Sequence, residues 1–567
     1  MAKLTINGTE IVTPGPMSIL EAARGAGIEI PHYCYHPGLG VVGQCRMCQV
    51  EVEKMPKLAT ACNTAAAEGM VVSTNSPRVE KARRAVLEFY LLNHPLDCPV
   101  CDRGGECPLQ DYTLKYGPGE SRSIEPKVQR AKHKVLGPHV VFDAERCILC
   151  TRCVRFCHEV PKTGELGVFS RGEQSEINLF PGKFLDNAYS GNVIDLCPVG
   201  ALTSRQYRFQ SRPWDLVRQI ESVCPLCSNG CNVVLDVRNR QQGDELLRIR
   251  PRENPAVNRW WICDEGRFTL GYLHVAERLR VAYGRDEGGQ VPVAVDELTG
   301  RLADTIRRIV QVHGEGAIGC VVSSRHTNEE LFLVRRFFLD ILRTPHLDYR
   351  VRPVQSEEAD ASEDGILRRT DKTPNSRGAR DLAILPAQDG LDTPGMIAAA
   401  QAGRLKALFV FEEDLVRELP DLPVREALGR LDLLVTSSLV PNETTALAHI
   451  VLPALATAEK DGSLTNFQGR IQKIRRALAP PGACRSLAET LQDVARRLGW
   501  DLGDIEPERV WAAIGEQSGP YRGIGWKEWR AIGPQGLLPE ELRAATGEPR
   551  AESRELRVES GEPREEA

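Results

Sequence analysis

The chain has 567 residues, 42% apolar and 26% charged, and its 77 acidic and 72 basic residues give a formal net charge of −5. This near balance gives no global electrostatic case for binding nucleic acid or an anionic membrane. No run of 18 apolar residues occurs, and the first residues lack the basic patch and apolar core of a signal peptide. We therefore expect a cytoplasmic-type chain of about four domains.

The first predicted elements form a compact α+β unit. Residues 3–12 alternate in polarity around Asn7-Gly8 and predict a hairpin. Ser18 is the predicted cap of a short helix, and a strand over 49–53 follows a glycine-rich loop. Pro77 begins a predicted helix whose apolar face comprises Val79, Ala82, Ala85, Val86 and Phe89.

Cysteine distribution is the most informative feature of the composition. Sixteen of the 18 cysteines lie in residues 1–263, and the other two are Cys320 and Cys484. A disulfide scaffold would be small and secreted, whereas clustered cysteines in a large cytosolic chain indicate metal ligands. Spacing sorts fifteen of them, with one histidine, into four ligand sets, and leaves Cys157, Cys320 and Cys484 as spares.

The first set is Cys34, Cys45, Cys48 and Cys62. A loop with a remote fourth cysteine is typical of a plant-type [2Fe–2S] centre, although that family's spacing is tighter. Glycines at 38, 40 and 43 would let the loop wrap such a cluster closely. A structural zinc site is the alternative.

The second set is His94, Cys98, Cys101 and Cys107. One histidine and three cysteines also suit zinc, which competes directly with iron on this segment alone. If the metal is iron, the neutral imidazole should raise the reduction potential relative to an all-cysteine site.

The third set is Cys147, Cys150 and Cys153 with the remote Cys197, which precedes Pro198. The run matches the bacterial ferredoxin pattern for one [4Fe–4S] cubane. No second run of this kind precedes Cys197, so Cys157 is interpreted as a buried thiol that binds no metal.

The fourth set is Cys224, Cys227, Cys231 and Cys263, four thiolates that can hold another cubane. Four adjacent sets, two with ferredoxin-type spacing, favour a chain of redox centres over structural zinc. From about residue 275 strand-like and helix-like segments alternate, which predicts an α/β layer with a mostly parallel sheet. Examples are residues 317–324, 328–343, 382–387 and 407–415, and the charged tail 541–567 is predicted to be disordered.

The order of the four sets, with His94 in the second, closely resembles the large iron–sulfur subunit of bacterial respiratory complex I (NADH:quinone oxidoreductase). This resemblance is specific over residues 1–268. It implies one [2Fe–2S] cluster on the first set and [4Fe–4S] clusters on the other three. The fourth set, a feature of many bacterial members of that family, points to a bacterial source.

The back half resembles a molybdopterin oxidoreductase domain, most clearly over residues 442–473. Catalytic members commonly carry Cys-x-Lys-Gly at the fourth cluster ligand, whereas Glu265 occupies the lysine position here, and His449 stands where Asp is frequent. About 300 residues follow the cluster, which is short for a catalytic domain. The resemblance therefore implies a degenerate scaffold without molybdopterin.

The implied fold class is multidomain α+β and α/β. Its domains are a β-grasp [2Fe–2S] ferredoxin domain (1–78), a one-His/three-Cys [4Fe–4S] module (79–118) and a ferredoxin-type [4Fe–4S] module (119–216). A molybdopterin-oxidoreductase-type [4Fe–4S] domain (217–273), a degenerate α/β domain (274–540) and the tail (541–567) follow.

The function implied by the resemblance is electron relay from an NADH/flavin subunit toward quinone, with no catalytic residue, FMN or NAD site on this chain. No dinucleotide-binding glycine motif follows a strand. Expected partners are the flavin subunit, a small [2Fe–2S] subunit, a two-cubane ferredoxin subunit and the quinone-site subunit. The expected location is peripheral, on the cytoplasmic side of the bacterial inner membrane.

Three other functions fit parts of the sequence. An NAD-linked formate dehydrogenase shares several modules, but Glu265 and the short back half count against it. A hydrogenase subunit is either much shorter or carries active-site cysteines that are missing here. A zinc-stabilised scaffold would have no redox role.

Overall fold

The structure is a computed structural model that describes residues 1–240, 243–351 and 363–525, with 528, 532 and 536–541 in addition. Apart from Glu541, the tail predicted to be disordered lies outside these residues. In the described part of the chain, no helix is long and apolar enough to cross a membrane.

The first unit is a five-stranded sheet with one helix against it. The predicted hairpin is confirmed, because Asn7 and Gly8 both have positive φ (52° and 82°) between its antiparallel strands. Ser18 and Glu21 form a capping box at the start of the helix Ile19–Gly25. In spatial order the strands are Thr9–Val12, Lys3–Ile6, Val71–Ser73, Gln49–Val52 and Ala59–Thr60.

The next element, the helix Pro77–Leu92, starts as predicted but buries a different face. Ala85 is exposed and Phe89 is 79% exposed, so the predicted apolar face is wrong at these two positions. Arg83 is buried because its guanidinium donates to the Gln49 carbonyl at 3.3 Å and lies over an aromatic ring. The fully buried positions of this helix are Val79, Arg83 and Leu87.

Short elements carry the second and third sets. The helices are Pro108–Tyr116, Arg152–Glu159 and Asn192–Leu196. One sheet has the order Leu202–Ser204, Val140–Phe142 and Lys134–Val135, and a second pairs Leu166–Phe169 with Glu176–Leu179. The fourth set lies on an antiparallel sheet of Arg218–Val223, Asn232–Arg240 and Gly243–Pro251, followed by the helix Asp264–Phe268.

A seven-stranded sheet forms the centre of the back half, and five of its strands are parallel, as predicted. In spatial order they are Gly289–Val293, Ala282–Asp286, Ile450–Pro453, Leu433–Ser438, Ala407–Phe411, Ile318–Ser323 and His346–Arg350. A separate hairpin pairs Gly462–Thr465 with Ile471–Ile474.

The back-half helices alternate with these strands. They are Val295–His313, Asn328–Arg335 (continued by a π-helix, Arg336–Ile341), Ser376–Asp381, Thr393–Gln401, Leu415–Glu418, Val424–Leu428, Glu443–Leu447, Leu487–Leu498 and Pro507–Gln517. Short 3₁₀ turns cover Cys98–Val100, Gly172–Gln174, Pro213–Asp215, Gly271–Leu273, Glu315–Ala317 and Thr457–Glu459.

One of the apolar segments singled out in the back half, residues 382–387, is not a strand. Residues 382–387 form a helix end instead, because Ile384 N donates to Ala379 O at 3.0 Å and Ala383 takes a left-handed φ of 56°. The other predicted segments near it are confirmed as the strands Ile318–Ser323 and Ala407–Phe411 and the helix Asn328–Arg335.

The apolar interior is divided between front and back. One continuous core contains cysteines of all four sets, whereas the seven-stranded sheet has two cores of its own on its two faces. Each set therefore contributes at least one cysteine to this front core, while Cys48 and Cys62 belong to a separate core under the first sheet.

Candidate metal centres

The four cysteines of the first set are at most 2% exposed. Cys48 and Cys62 pack in the core under the first sheet, and Cys34 and Cys45 pack in the front core. Cys45 N faces Cys34 Sγ at 3.5 Å, and Tyr33 N faces Cys45 Sγ at 3.4 Å. Backbone N–H groups thus point at the sulfur atoms, as a negatively charged cluster requires.

The four thiols of the first set form two pairs. A hydrogen bond from Cys45 lowers the pKa of Cys34 to about 5, and one from Cys48 lowers that of Cys62. The pKa values of Cys45 and Cys48 are raised in return, because each thiol stabilises its partner's thiolate. Two pairs of sulfurs fit the donor set of two irons, each with two protein ligands.

The glycine loop of the first set serves a contact that sequence reasoning missed. A Cβ on Gly38 would lie 2.6 Å from the Trp260 ring and 2.7 Å from that of Trp261, next to the fourth set. His36 stacks on Trp261 with ring centroids 5.3 Å apart. A side chain at position 38 would therefore clash with these indoles, and that the glycines let the loop wrap a cluster stays a prediction.

The second set is the most exposed of the four. Cys98 is exposed, Cys101 and Cys107 are each 8% exposed, and His94 is half-buried. Burial, with Lys127 and Arg146 nearby, lowers the pKa of His94 to about 4, so the imidazole is neutral, as a metal ligand must be.

The third set lines an apolar cavity. Its four cysteines share this cavity with Phe142, Ile148, Ile177, Val199, Ala201 and Leu202. Leu149 and Thr151 adopt left-handed φ values of 53° and 60°, which turn the loop so that Leu149 N reaches Cys147 Sγ at 3.4 Å. Burial raises the pKa of Cys150 to about 11. The cavity is a suitable cradle for a cubane.

The fourth set is buried throughout, with no cysteine more than 8% exposed. Asn229 Nδ2 donates to Cys231 Sγ at 3.1 Å, and Gly266 N donates to Cys263 Sγ at 3.3 Å at the start of a helix. Burial raises the pKa of Cys263 to about 12. Metal binding would offset the free-energy cost of ionising this buried thiol, because a thiolate is stable beside a cation.

Residues next to the ligands link three of the sets. Cys107 Sγ lies 3.8 Å from the carbonyl of Pro198, next to Cys197, and a Cβ on Gly200 would come within 2.1 Å of Cys101 Sγ. These contacts join the second set to the third. Arg155, on the helix of the third set, donates to the Cys34 carbonyl of the first.

Three arginines in or next to the ligand loops of the first and third sets differ in their surroundings. Arg46 is exposed. Arg152 and Arg155 tie the first set to the third, because Arg152 donates to the carbonyls of Tyr35 and Leu196.

The three spare cysteines are buried. Cys157 and Cys320 are 0% exposed, and Cys484 Sγ donates to the Leu279 carbonyl at 3.5 Å. Burial and the neighbouring Glu165 carboxylate raise the pKa of the Cys157 thiol. That none of the three binds a metal stays a prediction.

No three His, Cys, Asp or Glu side chains converge as ligands of a single ion anywhere in the described ranges. A cubane makes a different demand, since each of its thiolates binds a separate iron. The burial of the cysteines and their mutual electrostatic influence fit that arrangement.

In the back half, residues 442–473 form a helix, a strand and a hairpin. His449 Nδ1 accepts a hydrogen bond from Leu434 N at 2.8 Å, so this side chain is structural. Glu265 Oε2 lies 2.8 Å from the Lys372 ammonium group. Sequence reasoning missed Lys372, because it lies 107 positions away in the chain.

Five family models match successive parts of the chain, which defines a protein with several iron–sulfur domains and a molybdopterin-oxidoreductase-like domain. They are described as a 2Fe-2S iron-sulfur cluster binding domain (1–77), an NADH-ubiquinone oxidoreductase-G iron-sulfur binding region (83–122), an NADH-quinone oxidoreductase subunit 3 ferredoxin-like domain (137–203), an NADH-ubiquinone oxidoreductase NDSU1/NuoG-like 4Fe-4S domain (217–271) and a molybdopterin oxidoreductase (358–497). These matches confirm the predicted fold class.

The chain is also similar to proteins from several organisms. The G subunit of the NADH-quinone oxidoreductase of Rickettsia bellii is 41% identical over 60% of this chain and 48% of its own length. The mitochondrial NADH-ubiquinone oxidoreductase 78 kDa subunit of Neurospora crassa is 45% identical over 53% of this chain and 40% of its own. The matched residues are thus similar to large iron–sulfur subunits of NADH-quinone oxidoreductases, and the chain spans about half the length of these relatives or less.

A solved structure of an NAD+-reducing [NiFe]-hydrogenase in the H2-reduced state is also similar. One of its chains is 29% identical, and the match covers 37% of this chain and 90% of that one with a TM-score of 0.34.

Proposed function

We propose that this chain is an electron-relay subunit of an NADH:quinone oxidoreductase. In this role it carries electrons from an NADH-oxidising flavin subunit toward quinone. The observation that supports the proposal is the contact of the second set with residues next to Cys197 of the third, namely Cys107 with Pro198 and Cys101 with Gly200. Electron transfer needs only proximity between centres, which the shared core provides.

The proposed ligands are those of the four sets. A [2Fe–2S] cluster would be held by Cys34, Cys45, Cys48 and Cys62. Three [4Fe–4S] clusters would be held by His94, Cys98, Cys101 and Cys107; by Cys147, Cys150, Cys153 and Cys197; and by Cys224, Cys227, Cys231 and Cys263. When bound, these groups supply one-electron redox chemistry.

The protein's own contribution is to exclude water, aim N–H groups at sulfur and hold the sets in contact. We also propose that the chain carries no molybdopterin, FMN or NAD. Its proposed partners are the flavin, small [2Fe–2S], two-cubane ferredoxin and quinone-site subunits, in a peripheral position on the cytoplasmic side of the bacterial inner membrane.

Iron and acid-labile sulfide analysis of the anaerobically purified chain tests the cofactors. One binuclear and three cubane centres predict about 14 iron per chain. Low-temperature EPR of the dithionite-reduced protein should resolve separate binuclear and cubane signals. A colourless protein loaded with zinc would contradict the proposal.

Reduction by NADH tests the relay itself. With the flavin subunit present, NADH should reduce the clusters, and without that subunit it should not. Bound molybdenum together with formate-dependent reduction would favour the formate dehydrogenase instead.

A further inference from the structure

The α/β domain closes over the fourth set from two sides. One contact is the segment 363–375, in which the carbonyl of Asp371 accepts a hydrogen bond from Ser228 N at 2.9 Å, inside the ligand loop Cys224–Cys231. Arg325, just after a strand of the seven-stranded sheet, donates to the carbonyls of Pro225 (3.2 Å) and Lys372 (3.1 Å). The segment is thus tied to the same loop twice.

The second contact comes from the hairpin of the α/β domain. Phe467 N donates to the Ser228 carbonyl at 2.9 Å, and Gln472 Nε2 donates to the Gly230 carbonyl at 2.9 Å. The Arg369 guanidinium lies 3.8 Å from the centre of the Phe467 ring, which joins the two contacts to each other. The ligand loop is therefore held by residues more than 100 positions away.

Lys372 brings a positive charge into this arrangement. Its Nζ is 2.8 Å from Glu265 Oε2, two residues after the ligand Cys263, and its side chain is only 19% exposed. Its neighbour Asp371 accepts the hydrogen bond from Ser228 N, the residue that follows the ligand Cys227. The backbone at Lys372 is therefore held beside Cys227, while its ammonium group pairs with the residue two positions after Cys263.

We propose that the α/β domain supplies Lys372 as the counter-charge of the fourth centre, and that the Lys372–Glu265 pair sets how readily an electron enters it. This inference rests on the proposed function, because it requires a cluster on the fourth set. A positive charge favours the reduced, more negative state of a cluster, and a carboxylate disfavours it. The back half then has a role in tuning a redox centre that lies in the front half.

The test is an EPR-monitored redox titration of the full-length, cluster-loaded chain. Lys372→Met should lower the reduction potential of the fourth centre by about 59 mV. This shift corresponds to a change of about tenfold in the one-electron equilibrium constant. Lys372→Arg should restore the potential, because it keeps the charge. Glu265→Gln should raise the potential, and the double variant should lie between the two single ones.

Lys3→Met is the matched control, since Lys3 is also ion-paired (2.9 Å, with Glu10) but lies on the first hairpin. It should leave the fourth potential unchanged. An unchanged potential in Lys372→Met with its iron content intact would overturn the inference. If Lys372→Met loses the cluster, Glu265→Gln decides, and the absence of an upward shift overturns the inference.

Iron content separates this failure from that of the proposed function. A wild-type chain with no cubane on the fourth set would contradict the cluster assignment, and the inference would fall with it. If all clusters are present and neither Lys372→Met nor Glu265→Gln changes the reduction potential of the fourth centre, only the role of Lys372 is contradicted.

Discussion

Gly200 lies against the thiol of Cys101, where an added Cβ would come within 2.1 Å of the sulfur and 3.3 Å of Arg103 Cβ. Pro198, two residues before it, contacts Cys107. Gly200→Ala should therefore push the second set away from the third and destabilise the protein by about 1–3 kcal/mol, the usual cost of overpacking. Chemical unfolding followed by near-UV circular dichroism measures the free energy, and iron analysis measures cluster loss.

Gly119→Ala is the control, because an added Cβ there meets nothing within 4 Å and Gly119 has no positive φ. It should leave stability and iron content unchanged. Equal stability of both variants would show that the second and third sets are not in contact.

The second set offers another test at a single side chain. His94→Cys replaces a neutral ligand with a thiolate, so the second centre should become harder to reduce while the signals of the other three stay intact. EPR-monitored titration measures this shift. His133→Cys serves as control, since His133 is exposed. A protein that keeps an unchanged second signal after His94→Cys would show that His94 is not a ligand.

At the scale of elements, a buried ion pair joins the helix Asn328–Arg335 to Lys460, which lies just before the hairpin of the back half. Lys460 Nζ lies 2.8 Å from Glu330 Oε2, and both side chains are less than 10% exposed. Burial would raise the pKa of Glu330, but Lys460 and His326 outweigh burial and lower it. The carboxylate is thus charged within the core, where its stability depends on its partners.

Lys460→Met should cost about 3–5 kcal/mol, because it leaves a buried carboxylate without its main counter-charge. The double variant with Glu330→Gln should recover part of this loss. Arg301→Met removes an exposed helix pair with Glu297 and should cost less than about 1 kcal/mol. Urea unfolding of the four proteins measures these differences, and equal effects of the two single variants would contradict the argument.

Sequence patterns predicted turns and helix starts correctly where the conformation depends on neighbouring residues in the chain. The Asn7-Gly8 turn, the Ser18 cap and the helix start at Pro77 each follow from the conformational preference of one or two residues. The buried face of that helix could not be predicted, because Arg83 is buried by a carbonyl and a ring from other elements.

The same division applies to the candidate centres. Spacing along the chain was enough to propose the four sets, because each is carried largely by one loop. The packing of Gly38 on two indoles and the pairing of Lys372 with Glu265 join residues more than 100 positions apart. Such contacts depend on the relative placement of domains, which no local pattern encodes.

At the scale of the whole molecule, the front core contains cysteines of all four sets, whereas the cores of the seven-stranded sheet contain Cys320 as their one cysteine among the described residues. Without metal, the front core must bury many thiols around empty sites, and metal binding is then part of its folding free energy. We expect the stability of the seven-stranded sheet not to depend on metal binding.

Removing the clusters should therefore destabilise the two halves unequally. After anaerobic chelation of iron, amide hydrogen exchange should rise throughout residues 1–273, and most in the ligand loops. The central strands Ile318–Ser323, Ala407–Phe411 and Leu433–Ser438, which are buried at every position, should keep their protection. Reconstitution with iron and sulfide should restore protection in the front half, which serves as the control for irreversible damage. Equal loss of protection in both halves would show that the sheet, too, depends on the clusters.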